Sequence, residues 1–361
     1  MSNEGILVIN PGSTSTKVAF FQGESLLLEA SLRHSQEDIS RYARIMDQYH
    51  FRLQVILEFI DQKKIKLTSI AAVVGRGGVL KPLPGGTYLI TDEMVAELKG
   101  PNRAEHASNL GALLAKEIAE MAAVPAFIVD PVVVDELEPI ARISGMAGIE
   151  RISIFHALNQ KAVARKTAAQ LGTTYDAVNL IVAHLGGGIS VGVHQQGRVI
   201  DVNNALDGEG PFSPERSGGV PVGQLIELCF NGSMTKEAVY RQVVGAGGLV
   251  GYLGTNDARE VEKRIKKGDQ KAKLVYEAML YQVAKEIGAA ATVLKGQVDA
   301  IVLTGGLVYS SLVTDWLIER IGFIAPVFTF PGEGEMEALA YGALRVLRGE
   351  EVSKSYPIQI K

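Results

Sequence analysis

Cysteine is almost absent from this chain: Cys229 is the only one in 361 residues. One thiol cannot close an internal disulfide and makes a thiolate metal cluster impossible, so a reducing, cytoplasmic setting is expected. Cys229 lies in the apolar run Leu225 to Phe230, where a small buried hydrophobe on a helix is the expectation. Excess basic charge is missing too. With 36 Lys and Arg against 40 Asp and Glu, the net charge of −4 lacks the field that phosphate-backbone binding uses, so nucleic acid is not expected as a partner. Long hydrophobic runs are also lacking. The longest stretch without a formal charge, residues 177–197, holds three consecutive glycines, two histidines and two glutamines, so no membrane span is expected. The opening MSNEGILVIN meets an acidic residue at once, with no basic segment before an apolar one, so no signal peptide is expected.

What remains is the balance of a globular chain, 47% apolar and 21% charged. At about 150 residues per domain the length predicts two domains. Glycine is the excess, 39 residues, against an average of about 7%.

Strand and helix patterns alternate throughout, the mark of an α/β architecture. The start reads as a three-stranded meander: Ile6 to Ile9, Val18 to Phe21 and Leu26 to Ala30. Helices are predicted across Leu53 to Lys63, Asp92 to Leu98 and Leu110 to Met121, and a strand at Ala126 to Val129. Helical pattern resumes from Ile152 to Gln170. From Asn179 the opening repeats in form, with NLIVAH, LGGG, ISVGV, a turn at Gly197 and RVIDV. A repeat at that distance is too long for a solenoid and predicts two similar domains. Helices follow at Pro221 to Phe230, Lys236 to Val244, Arg259 to Lys266 and Asp269 to Leu294. A strand at Ala300 to Leu303, a helix at Ser311 to Ile321, a strand at Val327 to Phe330 and a helix at Met336 to Leu347 complete the pattern.

Three turns carry chemistry. In INPGSTSTK, Ile9 to Lys17, a strand enters a turn with four hydroxyl residues and then a lysine, a set of donors suited to phosphate oxygens. The spacing is not that of a Walker loop, and a strand follows rather than a helix. A Ser/Thr-rich hairpin without a ligand has the same pattern. HLGGGIS, His184 to Ser190, has no helix after it either, which excludes a Rossmann fingerprint. Three glycines allow positive φ and close approach of backbone to a ligand, and a strained ligandless turn is the alternative. Equivalent hairpins on duplicated domains are expected to face each other across a cleft and grip a nucleotide's phosphates. In TGGLVYS, Thr304 to Ser310, a buried strand ends in a glycine pair before a helix, a place for an adenosine or simply a strand-to-helix turn.

With these motifs the chain resembles the acetate and butyrate kinase family of the acetate kinase, sugar kinase, Hsp70 and actin superfamily, and within it the butyrate branch. The resemblance implies a duplicated two-lobe actin-like ATPase fold with a ribonuclease H-like βββαβαβα core in each lobe. It divides the chain into residues 1–148 with 338–361, and 149–337. INPGSTSTK is similar to the family's first phosphate motif, which brings in Asn10, Ser13, Ser15 and Lys17. HLGGGIS is similar to the second, with His184, Gly186, Gly187 and Gly188, and TGG to the adenosine motif, with Gly305 and Gly306. VGRGG points to Arg76 as an arginine on the reacting groups, and SPERSGG to Arg216 as the second. DPVVVDEL puts Asp130 near metal and phosphoryl group, TNDAR puts Asp257 and Arg259 near the nucleotide, and EMEALA puts Glu337 at the metal. His156 matches a histidine that steadies the phosphoryl group. The acetate branch carries a further histidine where this chain has Gln160, and Asn where it has Gly187. It also has bulkier residues where Gly77 and Gly78 follow Arg76, which implies a roomier acyl pocket and a four-carbon acid.

The resemblance implies ATP/ADP and Mg²⁺ as cofactors, a small carboxylate and its acyl phosphate as partners, and a homo-oligomer, a dimer or higher. A short-chain carboxylate is ionised near neutral pH and attacks the γ-phosphorus without a general base, so positioning and charge neutralisation are what the protein supplies. Domain closure around Ser144 to Met146 is expected. Two other readings stay open: a sugar kinase, with Asp130 as base for a hydroxyl, and a nucleotide-switched binding protein of the Hsp70 or actin kind.

Overall fold

A computed structural model describes residues 4–100 and 106–356. They pack as two compact units, one of residues 1–134 with 334–361 and one of residues 135–333.

In the first unit, β1 (Gly5–Pro11), β2 (Ser15–Gln22) and β3 (Ser25–Arg33) form the antiparallel meander. β1 is buried at every position, because it lies inside the sheet with neighbours on both sides; β3, at the edge, alternates with solvent and exposes Leu27. β4 (Ala72–Gly75) runs parallel to β1 and pairs Gly75 with Ile9. β5 (Thr87–Leu89) and β6 (Ala126–Val129) complete the order β3-β2-β1-β4-β6-β5. β5 is not predicted from sequence: three residues after Pro84-Gly85-Gly86 read as loop. Helices Asn109–Ala122 and Glu335–Leu347 both pack on β1, β4 and β6.

The second unit repeats the plan. β7 (Asn179–Leu185), β8 (Ile189–Gln195) and β9 (Arg198–Val202) make the meander, and β10 (Ala300–Gly305) and β11 (Val327–Pro331) add parallel strands, giving β11-β10-β7-β8-β9. Alternation along β7 explains both coats. Ile181, Ala183 and Leu185 pack with Tyr276, Met279, Leu280 and Val283 of the long helix Gln270–Val293. Leu180 and Val182 pack with Val163, Ala164 and Ala168 of helix Ala157–Gln170. That helix starts five residues later than its apolar pattern suggests, with His156 at its N-cap.

Two sheets, each a meander extended by two parallel strands and the first carrying the antiparallel β5 at its edge, constitute the duplicated actin-like ATPase fold. One expectation fails. Helix Val222–Phe230 has no buried residue, and Cys229 on it is exposed, because nothing in its own unit covers that helix. Among the described residues no helix is long and apolar enough to cross a membrane.

Candidate functional site

In the first unit the site residues come from strand ends. Asn10, next to last in β1, is in register with Lys17 on β2. Arg76 follows β4 directly, its amide donating to the Ile9 carbonyl at 2.9 Å. Both meet a residue that sequence reasoning passes over: Glu335, the first residue of helix Glu335–Leu347, accepts from Asn10 Nδ2 at 2.8 Å and pairs with Arg76 Nη1. Burial pushes the Glu335 carboxyl up, but Arg76, Asn10 and Lys17 together hold it below the ordinary carboxylate value. It is therefore an anion at neutral pH. Glu337, the residue expected from sequence, is half-buried in the same first turn. The signal for Glu335 was its place as the first residue of the helix, where an acidic residue is favoured by the helix dipole.

The first turn has a support that sequence reasoning also misses. Arg52 is fully buried on helix Tyr49–Gln62 and donates to the carbonyls of Gly12 (2.8 Å), Ser13 (3.1 Å) and Ser15 (3.2 Å) and to Thr16 Oγ1 (3.2 Å). Gln48 Oε1 takes its remaining protons. Burial draws the guanidinium down to about 10, still fully charged near neutrality. Because a trans peptide points its N–H opposite to its C=O, carbonyls turned onto Arg52 turn the amides of Ser13 and Thr14 the other way. Ser13 and Thr14 are exposed there, with Lys17.

Asp130, just past β6, is buried with φ +37°, and its Oδ1 accepts from the Gly86 amide at 2.7 Å. Gly77 and Gly78 do not open the room expected of them. A Cβ on Gly77 would lie 2.5 Å from Pro131 Cβ, and one on Gly78 2.5 Å from Asn109 Oδ1; close packing, not an acyl cavity, is what excludes side chains there.

In the second unit, His184 is next to last in β7, in register with Ser190 of β8 and Thr304 of β10. His156 stacks on it, ring centroids 3.7 Å apart and 10° from parallel. None of Gly186, Gly187 and Gly188 uses the positive φ that glycine allows. The demand is for space. A Cβ on Gly188 would overlap Arg216 Nη1, and one on Gly186 would come within 3.0 Å of His184 Nε2. Arg216 thus lies against the turn, anchored by a 2.6 Å bond to the Ala205 carbonyl, while Ser213 Oγ holds the Gly187 carbonyl at 2.6 Å. Burial lowers the Arg216 pKa, only partly countered by Glu215. Asp257 caps helix Ala258–Lys266 and pairs with the exposed Arg259 at 3.0 Å. Gly305 is required twice over, by its φ of +96° and because a Cβ would collide with the Leu185 carbonyl; beside it Gly306 has nothing within 4 Å of a Cβ position.

This arrangement has known counterparts. The profile of the acetokinase family matches residues 143–325, just over half of the 361. The chain belongs to the acetokinase family. Acetokinase chains also share its fold. The acetate kinase of Porphyromonas gingivalis is 20% identical with a TM-score of 0.78, over 95% of this chain and 99% of that one. A propionate kinase from Francisella tularensis is 20% identical with a TM-score of 0.72, over 94% and 98%. A ROK family protein from Streptococcus pneumoniae, at 11% identity and a TM-score of 0.51 over 96% and 100%, shares the same plan more loosely. As an acetokinase family member the protein is a phosphotransferase with a carboxyl group as acceptor.

For such an enzyme the oxygens of Asp130, Glu335 and Asn10 are hard donors of the kind Mg²⁺ takes, and one or two carboxylates suffice when waters and phosphates complete the shell. Among the described residues no group of three or more His, Cys, Asp or Glu forms a metal cage by itself. Glu335 with Asn10 offers oxygen donors that fit a cation held jointly with a phosphate, and Asp130 offers another from the end of β6.

Proposed function

We propose that the protein is a butyrate kinase, transferring the γ-phosphoryl of ATP to butyrate in line and reversibly, to give butyryl phosphate and ADP. The observation that carries the carboxylate kinase part is the meeting of Asn10, Arg76 and the ionised Glu335 beside the hydroxyl-rich turn and Lys17. An ionised carboxylate needs no base, so charge neutralisation by Arg76 and Lys17 is what the group supplies.

In this reading Lys17 and the amides of Ser13 and Thr14 bind phosphate oxygens, with Ser13 and Ser15 lending hydroxyls. Mg²⁺, when bound, supplies positive charge to the phosphates. Asp130 and Glu335 hold it, with Glu337 beside them. Arg76, already balanced by Glu335, neutralises charge on the acyl and transferred groups, and Arg216 does so from the second glycine turn with His156. Asp257, Arg259, Gly305 and Gly306 take the nucleoside, the open backbone at Gly306 suiting a flat ring.

Butyrate rests on the resemblance of the sequence motifs to the butyrate branch, not on a pocket at Gly77 and Gly78. The alternative within the family is acetate or propionate. An acyl-hydroxamate assay with ATP, Mg²⁺ and acetate, propionate, butyrate or isobutyrate tests both levels. Fastest product with butyrate is expected; fastest with acetate or propionate overturns the substrate, and no product with any acid overturns the carboxylate kinase.

Self-association is proposed too. Val222, Ile226 and Phe230 on the uncovered helix are 62%, 50% and 85% exposed, an apolar stripe that a second copy would cover. Sedimentation at micromolar concentration should give a dimer or larger; a monomer at all concentrations overturns this.

A further inference from the structure

Helix Ala157–Gln170 and the β7–β8 hairpin carry two chains of side-chain hydrogen bonds that end on the stacked His156 and His184. Asn159, Gln160, His184, Ser190, His194 and Thr304 along them are all buried. Groups that can only accept fix the direction of each chain. The Ser190 carbonyl lies 3.0 Å from the Gln160 amide, so the nitrogen Nε2 must face it, and the same nitrogen donates to Ser190 Oγ at 2.8 Å. Oε1 of Gln160 is thereby turned onto His194 Nε2 at 3.0 Å, which must carry a proton. Burial first, and then Lys161 and Arg165, hold the His194 pKa well below its ordinary value. The ring is therefore neutral, and its bare Nδ1 accepts from Tyr175 OH at 2.8 Å. At the other end the buried Ser190 Oγ accepts from Gln160, and its own proton has His156 Nδ1, at 3.0 Å, as its acceptor.

The second chain runs the other way. The Glu333 carbonyl accepts from Asn159 Nδ2 at 2.6 Å, and Nδ2 also donates to Thr304 Oγ1 at 3.2 Å. Asn159 Oδ1 must then face His184 Nδ1, at 2.7 Å, and that nitrogen carries the proton.

We propose that the two chains lock the stacked pair in opposite neutral tautomers, His156 protonated on Nε2 and His184 on Nδ1, and that Gln160 and Asn159 are the positioning residues that set them. A neutral pair also suits the stacking, since two imidazolium rings at 3.7 Å repel. The fold makes room for the first chain: a Cβ on Gly192 of β8 would overlap Gln160 Oε1. Resting on the phosphotransferase reading, the consequence is that His156 offers Nε2–H as an uncharged donor to a phosphoryl or carboxylate oxygen. His184 keeps a lone pair on Nε2 beside Gly186.

Long-range ¹H–¹⁵N NMR of the full chain with labelled histidine reads the tautomers directly, with His156→Gln and His184→Gln used for assignment. A bare Nδ1 on His156 and a bare Nε2 on His184 at neutral pH are expected; the inverted tautomer or an imidazolium pattern at either ring overturns the proposal. Gln160→Glu removes the donor to Ser190, so the serine proton turns to the new carboxylate and the His156 proton moves to Nδ1. Ser190→Ala, which keeps the shape, erases the bias. A His156 tautomer unchanged in both variants overturns the role given to Gln160. In turnover, Gln160→Met should lower kcat by roughly 10- to 100-fold with KM for ATP unchanged, as losing a tautomer-fixing partner does elsewhere; a rise in KM with kcat intact counts against it. The NMR readout needs no activity. Correct tautomers in a chain without kinase activity would sink the function and keep this inference, and wrong tautomers in an active enzyme would do the reverse.

Discussion

The two strand–turn–strand motifs share a topology and solve the placing of a cation in opposite ways. In the first, the cation is beneath: Arg52 gathers three carbonyls of the turn from inside the unit and leaves the amides and hydroxyls of Ser13 and Thr14 facing out. In the second, the cation is alongside: Arg216 presses on Gly188, and its guanidinium occupies the place a side chain there would take. The contrast extends to glycine itself. A Cβ on Gly12 would meet nothing nearer than 3.5 Å, whereas one on Gly188 collides with Arg216. Same motif, same residue type, different necessity.

Substitution at those two glycines is the sharpest way to break the comparison. Gly188→Ala should displace Arg216 and cost turnover as Arg216→Ala does, about 10³-fold or more if the arginine assists phosphoryl transfer. Gly12→Ala should leave kinetics near normal and raise stability by about 0.5 kcal/mol, since the conformation suits alanine and the unfolded chain loses freedom. Equal losses from the two in a steady-state assay would end the distinction. Next in size is the carboxylate beside Arg76. Glu335→Gln should lower kcat by roughly 10- to 100-fold, as for other partners that orient a charged group, while Glu337→Gln does much less; the reverse order in the same assay would return the role to Glu337. Arg52→Met then tests the support from beneath. It strands buried carbonyls at a cost of about 1–3 kcal/mol each, and it should raise KM for ATP more than KM for the acid, with Arg52→Lys in between. Chemical denaturation and the two KM values read this out.

The smallest effect is at His34, whose Nε2 meets Thr16 Oγ1 at 2.9 Å and whose pKa is lowered from 6.5 to about 4 by burial and then by Arg52. A depressed histidine is neutral in the fold while the unfolded chain takes up a proton below 6.5, so stability falls as pH drops from about 6.5 towards 4. His34→Gln should flatten that part of a melting-temperature profile; an unchanged slope would remove His34 from the turn's support.

Both meanders were legible in the sequence, because buried apolar runs broken by Gly and Ser/Thr turns allow little else. The helices carrying Val163 and Met279 were legible from their apolar spacing. β5 was not, since three residues after a Pro-Gly-Gly run carry no periodic signal and take their strand form from pairing with β6. Arg76 and Arg216 were found through their motifs, but the carboxylate that balances Arg76 was not: Glu335 contacts it across 259 residues of sequence. Arg52 was illegible for a different reason. A charged residue on a helix is normally taken as solvent-facing, and only the carbonyls of a turn 37–40 residues earlier make its burial tolerable. Of the two uses allowed to the glycine triplet, positive φ and close approach, only the second is taken up, because sequence shows that a side chain is missing without showing what fills the space.

Cys229 sits on the one long apolar helix that its unit leaves bare. A thiol-reactive dye would therefore attach at a single known position, with no engineering. Its rate of attachment, followed against protein concentration, would report the covering of that helix as it happens, so the chain carries its own probe of assembly.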